Sequence, residues 1–359
     1  MGPEETINIS LEEAMKKFRN IIIGVLAAVF LAVSIQALAI EPIPNQSGFS
    51  GYIQPGVGYL NIKSNMVAKV ASFDLSEQKI NSINDEPNSE TDGVVSMPFE
   101  IAYTFAGTRT QLFLGTQLID LLRFDISQQL GIRQEIGGLG VLQGGVLLGG
   151  ITSKVWKDPY VEGQDRKETS RSSTGARLIW DQILGSAFQV QYTYHKVDIS
   201  SEKSGEFLGL DSHDRRLLRR DGDVHQGSVL YRFKLDQKNR LTPEFNLGYD
   251  DRKGDARTNT NVGAQVTYSY LGDPIRLILN GSYTYADFDK KNPIYNKTQE
   301  NDSYGVGASV YYKNPWNWSL FGSKPMNFFV TGGYYYTDSN IDFYKEQIVL
   351  GLFGVNFRW

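Results

Sequence analysis

Segments of about ten residues in which apolar and polar side chains alternate recur from residue 48 to Trp359. In SMPFEIAYTF, Met97, Phe99, Ile101, Tyr103 and Phe105 share one face, and Pro98, Glu100, Ala102 and Thr104 share the other. In FDISQQLGIRQEI, Phe124, Ile126, Leu130, Ile132 and Ile136 oppose Asp125, Ser127, Arg133 and Glu135. A period of two is that of a strand whose faces meet different surroundings. The closing GVNFRW keeps it to the end, with Phe353, Val355, Phe357 and Trp359 on one face. Chain ends usually fray and carry polar side chains, so an aromatic stripe on the last strand needs something apolar to touch.

Fourteen such segments can be drawn, near 48–62, 96–106, 109–120, 124–136, 140–154, 172–181, 186–198, 223–235, 240–250, 259–270, 274–286, 302–313, 326–337 and 344–359. The glycine-rich GVLQGGVLLGGITSK reads poorly, and the pair flanking DLLR is open to mispairing, so twelve strands is the alternative. Connections sort by parity. AGTR, GGLG, LGS, DQKN and LGDP are tight, and NPWNWSLFGSKP is longer. The intervening ones, near 63–95, 155–171, 199–222, 251–258 and 287–301, are long and polar, with a short exception near 121–123. Tyrosine pairs (Tyr192/Tyr194, Tyr268/Tyr270, Tyr283/Tyr285, Tyr334/Tyr336) close several stripes, as amphipathic rings do at a bilayer interface. Together these features predict an all-β fold: an antiparallel transmembrane β-barrel of about 14 strands, whose closure leaves no unpaired backbone edge in hydrocarbon.

Composition narrows the classes. At 41% hydrophobic and 21% charged residues the chain is too apolar for disorder and too polar for a helical membrane bundle. A net charge of −4 gives no basic field for nucleic acid, and the absence of Cys excludes disulfides and thiolate chemistry. In the N-terminal region, Lys16, Lys17 and Arg19 precede the apolar run IIIGVLAAVFLAV, and Ala37 and Ala39 stand at −3 and −1 of a cleavage site. This predicts a secretory signal peptide within an extension covering residues 1–39, translation starting at Met15, and a barrel over 40–359.

At this point the chain resembles bacterial outer-membrane β-barrel proteins. In that class the terminal aromatic strand resembles the signal read by the barrel-assembly machinery. Gly354, Phe357 and Trp359 match that signal, and Leu352 departs from it, standing where a polar residue is commoner. GFSGYIQPGVGYLNIKSN and QLFLGTQLIDLLRFDISQQLGIRQ resemble an uncharacterised bacterial family of the domain-of-unknown-function type, across nearly the whole mature chain. The first resemblance implies an outer-membrane location and contacts with lipid and lipopolysaccharide. The second implies no activity.

Inner-face parity selects Glu100, Arg133, Glu135, Arg177, His195, Glu244 and Arg276 as lumen-lining candidates, either around a wet channel or as a salt-bridge lattice that plugs it. His195 has no nucleophile at the spacing a barrel phospholipase would need. The loop LDSHDRRLLRRDGDVH places Asp211 and His213 at the D-x-H spacing seen in omptin proteases, with Asp221 and Asp223 nearby. A His–Asp pair can activate water, and the bland reading is a solvated loop. Arg215, Arg216, Arg219 and Arg220 are candidates for a loop constriction or for lipopolysaccharide phosphates. No metal cluster or cofactor motif is evident. A porin-like pore for small solutes is the leading expectation; a closed structural or surface-interaction barrel and an omptin-like hydrolase are the alternatives.

Overall fold

The computed structural model describes residues 42–70, 73–117, 126–151, 153–316, 318–319 and 325–359. The signal-peptide region and Met15 lie outside the described residues.

Among them, fourteen antiparallel strands form one closed barrel. They are β1 (Gly48–Ile53, continued by Gly56–Lys63), β2 (Ser89–Ser96 and Phe99–Phe105), β3 (Thr110–Gln117), β4 (Ile126–Ile136) and β5 (Gly140–Ile151 and Ser153–Trp156). Next come β6 (Glu168–Asp181), β7 (Phe188–Ile199), β8 (Gly222–Tyr231 and Phe233–Lys234), β9 (Asn239–Arg252) and β10 (Asn259–Leu271). The last four are β11 (Ile275–Asn292), β12 (Lys297–Lys313), β13 (Asn327–Ser339) and β14 (Glu346–Arg358). Each strand pairs with its sequence neighbour. β14 returns to β1 in the register Gly56↔Gly354 and Ile53↔Phe357. Reciprocal bonds between Gly51 and Trp359 complete that seam, Trp359 N–H to Gly51 O at 3.1 Å and Gly51 N–H to Trp359 O at 3.3 Å. The aromatic end of the chain is therefore the closing edge of the cylinder.

The wall is a soluble protein turned inside out. Leu178, Val330 and Phe353 are 60%, 61% and 60% exposed, while Arg177, Thr193 and Gln129 on the other face are buried. Only hydrocarbon makes a continuous jacket of exposed Leu, Val and Phe favourable, so the fold is an outer-membrane-type barrel. The fourteen-strand count holds and twelve falls. β3 and β4 pair from Thr110↔Gln134 to Gln117↔Ser127, and the glycine-rich β5 is laddered on both sides. Its glycines admit close neighbours: a Cβ at Gly145 would meet the Gln129 side chain at 2.8 Å.

One expectation is corrected. Residues 287–301, read as a loop, are largely strand, with β11 running to Asn292 and β12 starting at Lys297 around a shift between Asp287 and Lys291. The same holds for Ser89–Ser96. Beyond the membrane both faces are wet, so the alternation that announces a strand disappears while its ladder continues.

A short hairpin, Val67–Val70 with Phe73–Asp74, follows β1, and its first arm pairs with Ser153–Val155 at the end of β5. At the opposite, short-turn end, Ile43 is buried against Val141 and Ile179 of β5 and β6. Arg109 holds that segment, donating to the carbonyls of Ile43 (2.7 Å) and Pro44 (2.9 Å). Residues ahead of β1 thus cross the mouth beneath β2 to β4.

Candidate functional site

The inner face carries linked side chains rather than scattered charges. On β4, Arg133 donates two bonds to Glu100 of β2 (2.7 and 2.8 Å), one to Gln111 of β3 (2.8 Å) and one to Gln143 of β5 (2.7 Å), and it lies 4.0 Å over the Phe113 ring. One guanidinium ties four neighbouring strands, which its planar fork of donors allows. Arg232 of β8 reaches Asp181 of β6 at 2.6 Å, and Arg109 pairs with Glu135. Arg177 is buried and donates to Thr193 at 3.0 Å. His195 Nδ1 lies 3.3 Å from Ser173 Oγ across the β6–β7 pair, a neighbour that spacing along the chain could not show. Glu244 is on the inner face of β9, and Arg276 is exposed beside the turn before β11. All seven lumen candidates thus lie on inner-face parity, six of them inside the cylinder or bonded along its wall and Arg276 at its rim.

The long loops do more than the sequence suggests. They fold together over the mouth. Ile80 from the first loop, Tyr160 from the β5–β6 loop, Leu218 from the β7–β8 loop and Ile341, Phe343 and Tyr344 from the β13–β14 loop form one buried apolar core. Leu208, Leu210, Ile294 and Tyr295 pack against it. The β7–β8 and β13–β14 loops start almost opposite each other on the wall. A fourteen-strand barrel with strands about 4.8 Å apart and tilted about 40° is about 28 Å across. For these side chains to touch, the loops must span the opening, and the result is a cap.

Polar groups in the cap are paired. The Tyr160 and Tyr344 hydroxyls are 2.7 Å apart, Asn292 Nδ2 donates to the Tyr344 oxygen at 2.6 Å, and Tyr295 donates to Ile83 O at 2.8 Å. Burial pushes the hydroxyls of Tyr160 and Tyr295 well above the usual phenol range. The carboxylate of Asp158 accepts from the N–H groups of Tyr160 (3.1 Å), Gly205 (3.1 Å) and Phe207 (2.9 Å), so it sews the β5–β6 loop to the β7–β8 loop.

This geometry locates the loop candidates. Asp211 is the N-cap of helix α1 (Ser212–Leu217) and accepts from the backbone N–H groups of His213 (2.8 Å) and Asp214 (2.9 Å). Those bonds hold its carboxyl below the usual carboxylate range, and they give the D-x-H spacing a structural role. Asp221 is buried, bonded to Lys253 (2.6 Å) and Arg219 (3.2 Å), whereas Asp223 accepts from Tyr194 at 2.6 Å on the outward face, so this pair does not converge. Arg220 is locked inside the cap by Glu202 (2.9 Å) and the Trp156 carbonyl (2.6 Å). Burial works against its charge, and Glu202 outweighs burial, raising its pKa. Arg215 pairs with Glu206 at 2.7 Å, and Arg216 is exposed.

The sequence reading missed Tyr160, Phe343, Tyr344 and Arg257. For the three aromatic residues the only signal is isolated rings in polar loops, such as IDFY at 341–344, and Arg257 is one charge among several in DRKGDAR, with no period to flag any of them.

A family model described as a protein of unknown function, DUF2860, matches residues 48–358. No curated protein matches the chain. Solved structures similar to it include OmpTdeltaL8, a loop-deletion mutant of OmpT, an outer membrane protein of Vibrio cholerae, at 11% identity and a TM-score of 0.41, covering 87% of this chain and 99% of that one. The monoaromatic hydrocarbon channel CymD is similar at 8% identity and a TM-score of 0.43, covering 92% and 95% respectively. The likeness extends no further than the fold.

Proposed function

We propose that this chain, which belongs to the DUF2860 family, is an outer-membrane channel for small polar solutes whose outer mouth is closed by a folded loop cap. The observation that carries this reading is the inner face from β9 to β12. Apart from Glu244 and the charges near its two ends, it is lined by small or uncharged polar residues such as Asn246, Asn261, Gln265, Ser282 and Thr284. Residues of that size cannot fill a cylinder about 28 Å across, whereas an eight-strand barrel is filled by its side chains. Water therefore occupies that side of the lumen, and the Arg133 and Arg232 networks brace the other.

In this reading the short turns face the periplasm and the cap faces outward, after export by a cleavable leader, with the last strand presenting Gly354, Phe357 and Trp359 to the assembly machinery. The cap supports gating because its core is separate from the ladders that hold the wall. Loops can part without a strand leaving the sheet. A closed structural barrel is the second reading, favoured by the completeness of the cap core. Planar-bilayer recordings of refolded protein separate the two. Brief, discrete conductance steps support the channel, and a silent protein whose cap variants are also silent supports the closed barrel.

A further inference from the structure

Beneath the cap the β9–β10 loop holds a guanidinium with no carboxylate partner. Arg257 lies 4.5 Å over the ring of Tyr344 and 5.3 Å from that of Phe288. Its Nη1 donates to Gln299 Oε1 at 2.8 Å. No described acid forms an ion pair with it. Its Nε/Nη2 edge, the one that grips a carboxylate side-on, has no acceptor among the described residues, and neither atom is among the buried, unsatisfied ones, so solvent reaches both. Two aromatic rings and Gln299 fix the group in place, which lowers the entropy lost when it binds.

A second arginine is tied to the same turn: Thr258, next to Arg257, accepts from the Arg252 N–H and donates to the Arg252 carbonyl, both at 3.0 Å. Arg252, at the end of β9 on the inner face, donates to Asp250 at 2.9 Å and to the Arg220 carbonyl at 3.1 Å. Arg257 and Arg171, which lies on the inner face of β6, both repel it. Asp250 already answers Arg252, and Glu346, which attracts Arg257 from β14, is bonded to Ser64 at 2.8 Å. Arg220, the buried arginine of the Arg-rich loop segment, is engaged by Glu202.

We propose that Arg257 and Arg252 form an anion-binding site on the underside of the cap, taking a small carboxylate or phosphate. Guanidiniums match both ligands bidentately, and a site enclosed by a cap strengthens charge-assisted bonds relative to bulk water. The site deepens the channel reading by naming the solute class as anionic, and binding itself can be measured without any conduction.

The test is calorimetric titration of the full folded protein in detergent, at low ionic strength, with inorganic phosphate and with succinate. Wild type binds at least one of them. R257M, which keeps apolar packing against Tyr344 and Phe288, weakens binding about ten- to hundredfold, the range of one charge-assisted bond. R257K falls between wild type and R257M, because the charge remains while the side-on fork and the stacking on Tyr344 are lost. If R257M does not fold, judged by gel mobility with and without boiling, R252M gives the equivalent reading on the neighbouring group. Absence of binding by wild type, or unchanged affinity in a folded R257M, overturns the site. Bilayer recordings keep the two readings apart. Conductance without binding removes the site and leaves the channel, and binding without conductance leaves the site and removes the channel.

Discussion

Phe343→Ala separates the cap from the wall. Phe343 is fully buried at the centre of the cap, with the rings of Tyr160 and Tyr344 at 5.2 Å and that of Tyr295 at 6.3 Å. Removing such a ring from a packed core costs about 3–5 kcal/mol. None of that loss falls on the wall, because Phe343 lies in the 3-10 turn between β13 and β14 and outside every strand pair. The full cost therefore falls on the closed state of the cap. At tenfold per 1.4 kcal/mol, the open population rises by about two to three and a half orders of magnitude until it approaches saturation. Two measurements read this together. Single-channel recordings give the open probability, and limited proteolysis of the loops reports whether the cap has loosened. Gel mobility with and without boiling confirms that the barrel remains closed. A folded variant whose loops become protease-sensitive while its open probability stays at the wild-type value would show that the cap is not the gate.

Three further outcomes follow from the same geometry. Leu247→Arg, on the lipid-facing side of β9, should destabilise the barrel in urea titration by about 2–4 kcal/mol if it sits near the midplane, whereas Asn246→Arg, one residue away on the inner face, should be tolerated. Equal costs at the two positions would contradict the parity of the wall. Glu202→Gln leaves Arg220 buried without its partner, and loss of one member of such a pair costs about 3–5 kcal/mol, which near-ultraviolet circular dichroism of the cap tyrosines should register as lost signal. Burial alone would raise the Asp221 carboxyl, but the bond from Lys253 and the charge of Arg219 outweigh it and hold the carboxyl low. A group depressed in the folded state contributes stability above its unfolded pKa of about 3.9 and loses it as pH falls through the folded value. The same dichroism signal should therefore hold from neutral pH to about pH 4 and decline below it, and Asp221→Asn should shrink that acid-side change, leaving the share of Asp211, whose carboxyl is also held low.

The wall was legible because its two solvents impose a period on the chain. Residues such as Leu178 and Arg177 must alternate where lipid lies outside and water or partners lie inside, so β6 to β10, β13 and β14 could be placed within a few residues, whereas β11 and β12 run further, to Asn292 and from Lys297. The same reasoning put Glu100 and Arg133 on one face but could not say that they meet, because β3 intervenes and the pairing depends on the curvature of the closed sheet. Likewise Ser173 beside His195 follows from the register of β6 on β7, which no spacing along the chain encodes.

What the sequence determined by itself was the solvent of each side chain along a strand, and hence the closed barrel with its aromatic seam at Trp359. Only the tertiary structure decided what the loops do. Ile80, Tyr160, Leu218 and Phe343 lie far apart in the chain and carry no common period, yet they form one core because the barrel brings five loops to the same opening. A periodic pattern records a face repeated along one element. A core assembled from single residues of many loops leaves no such record, and it becomes visible when the wall has fixed where each loop begins.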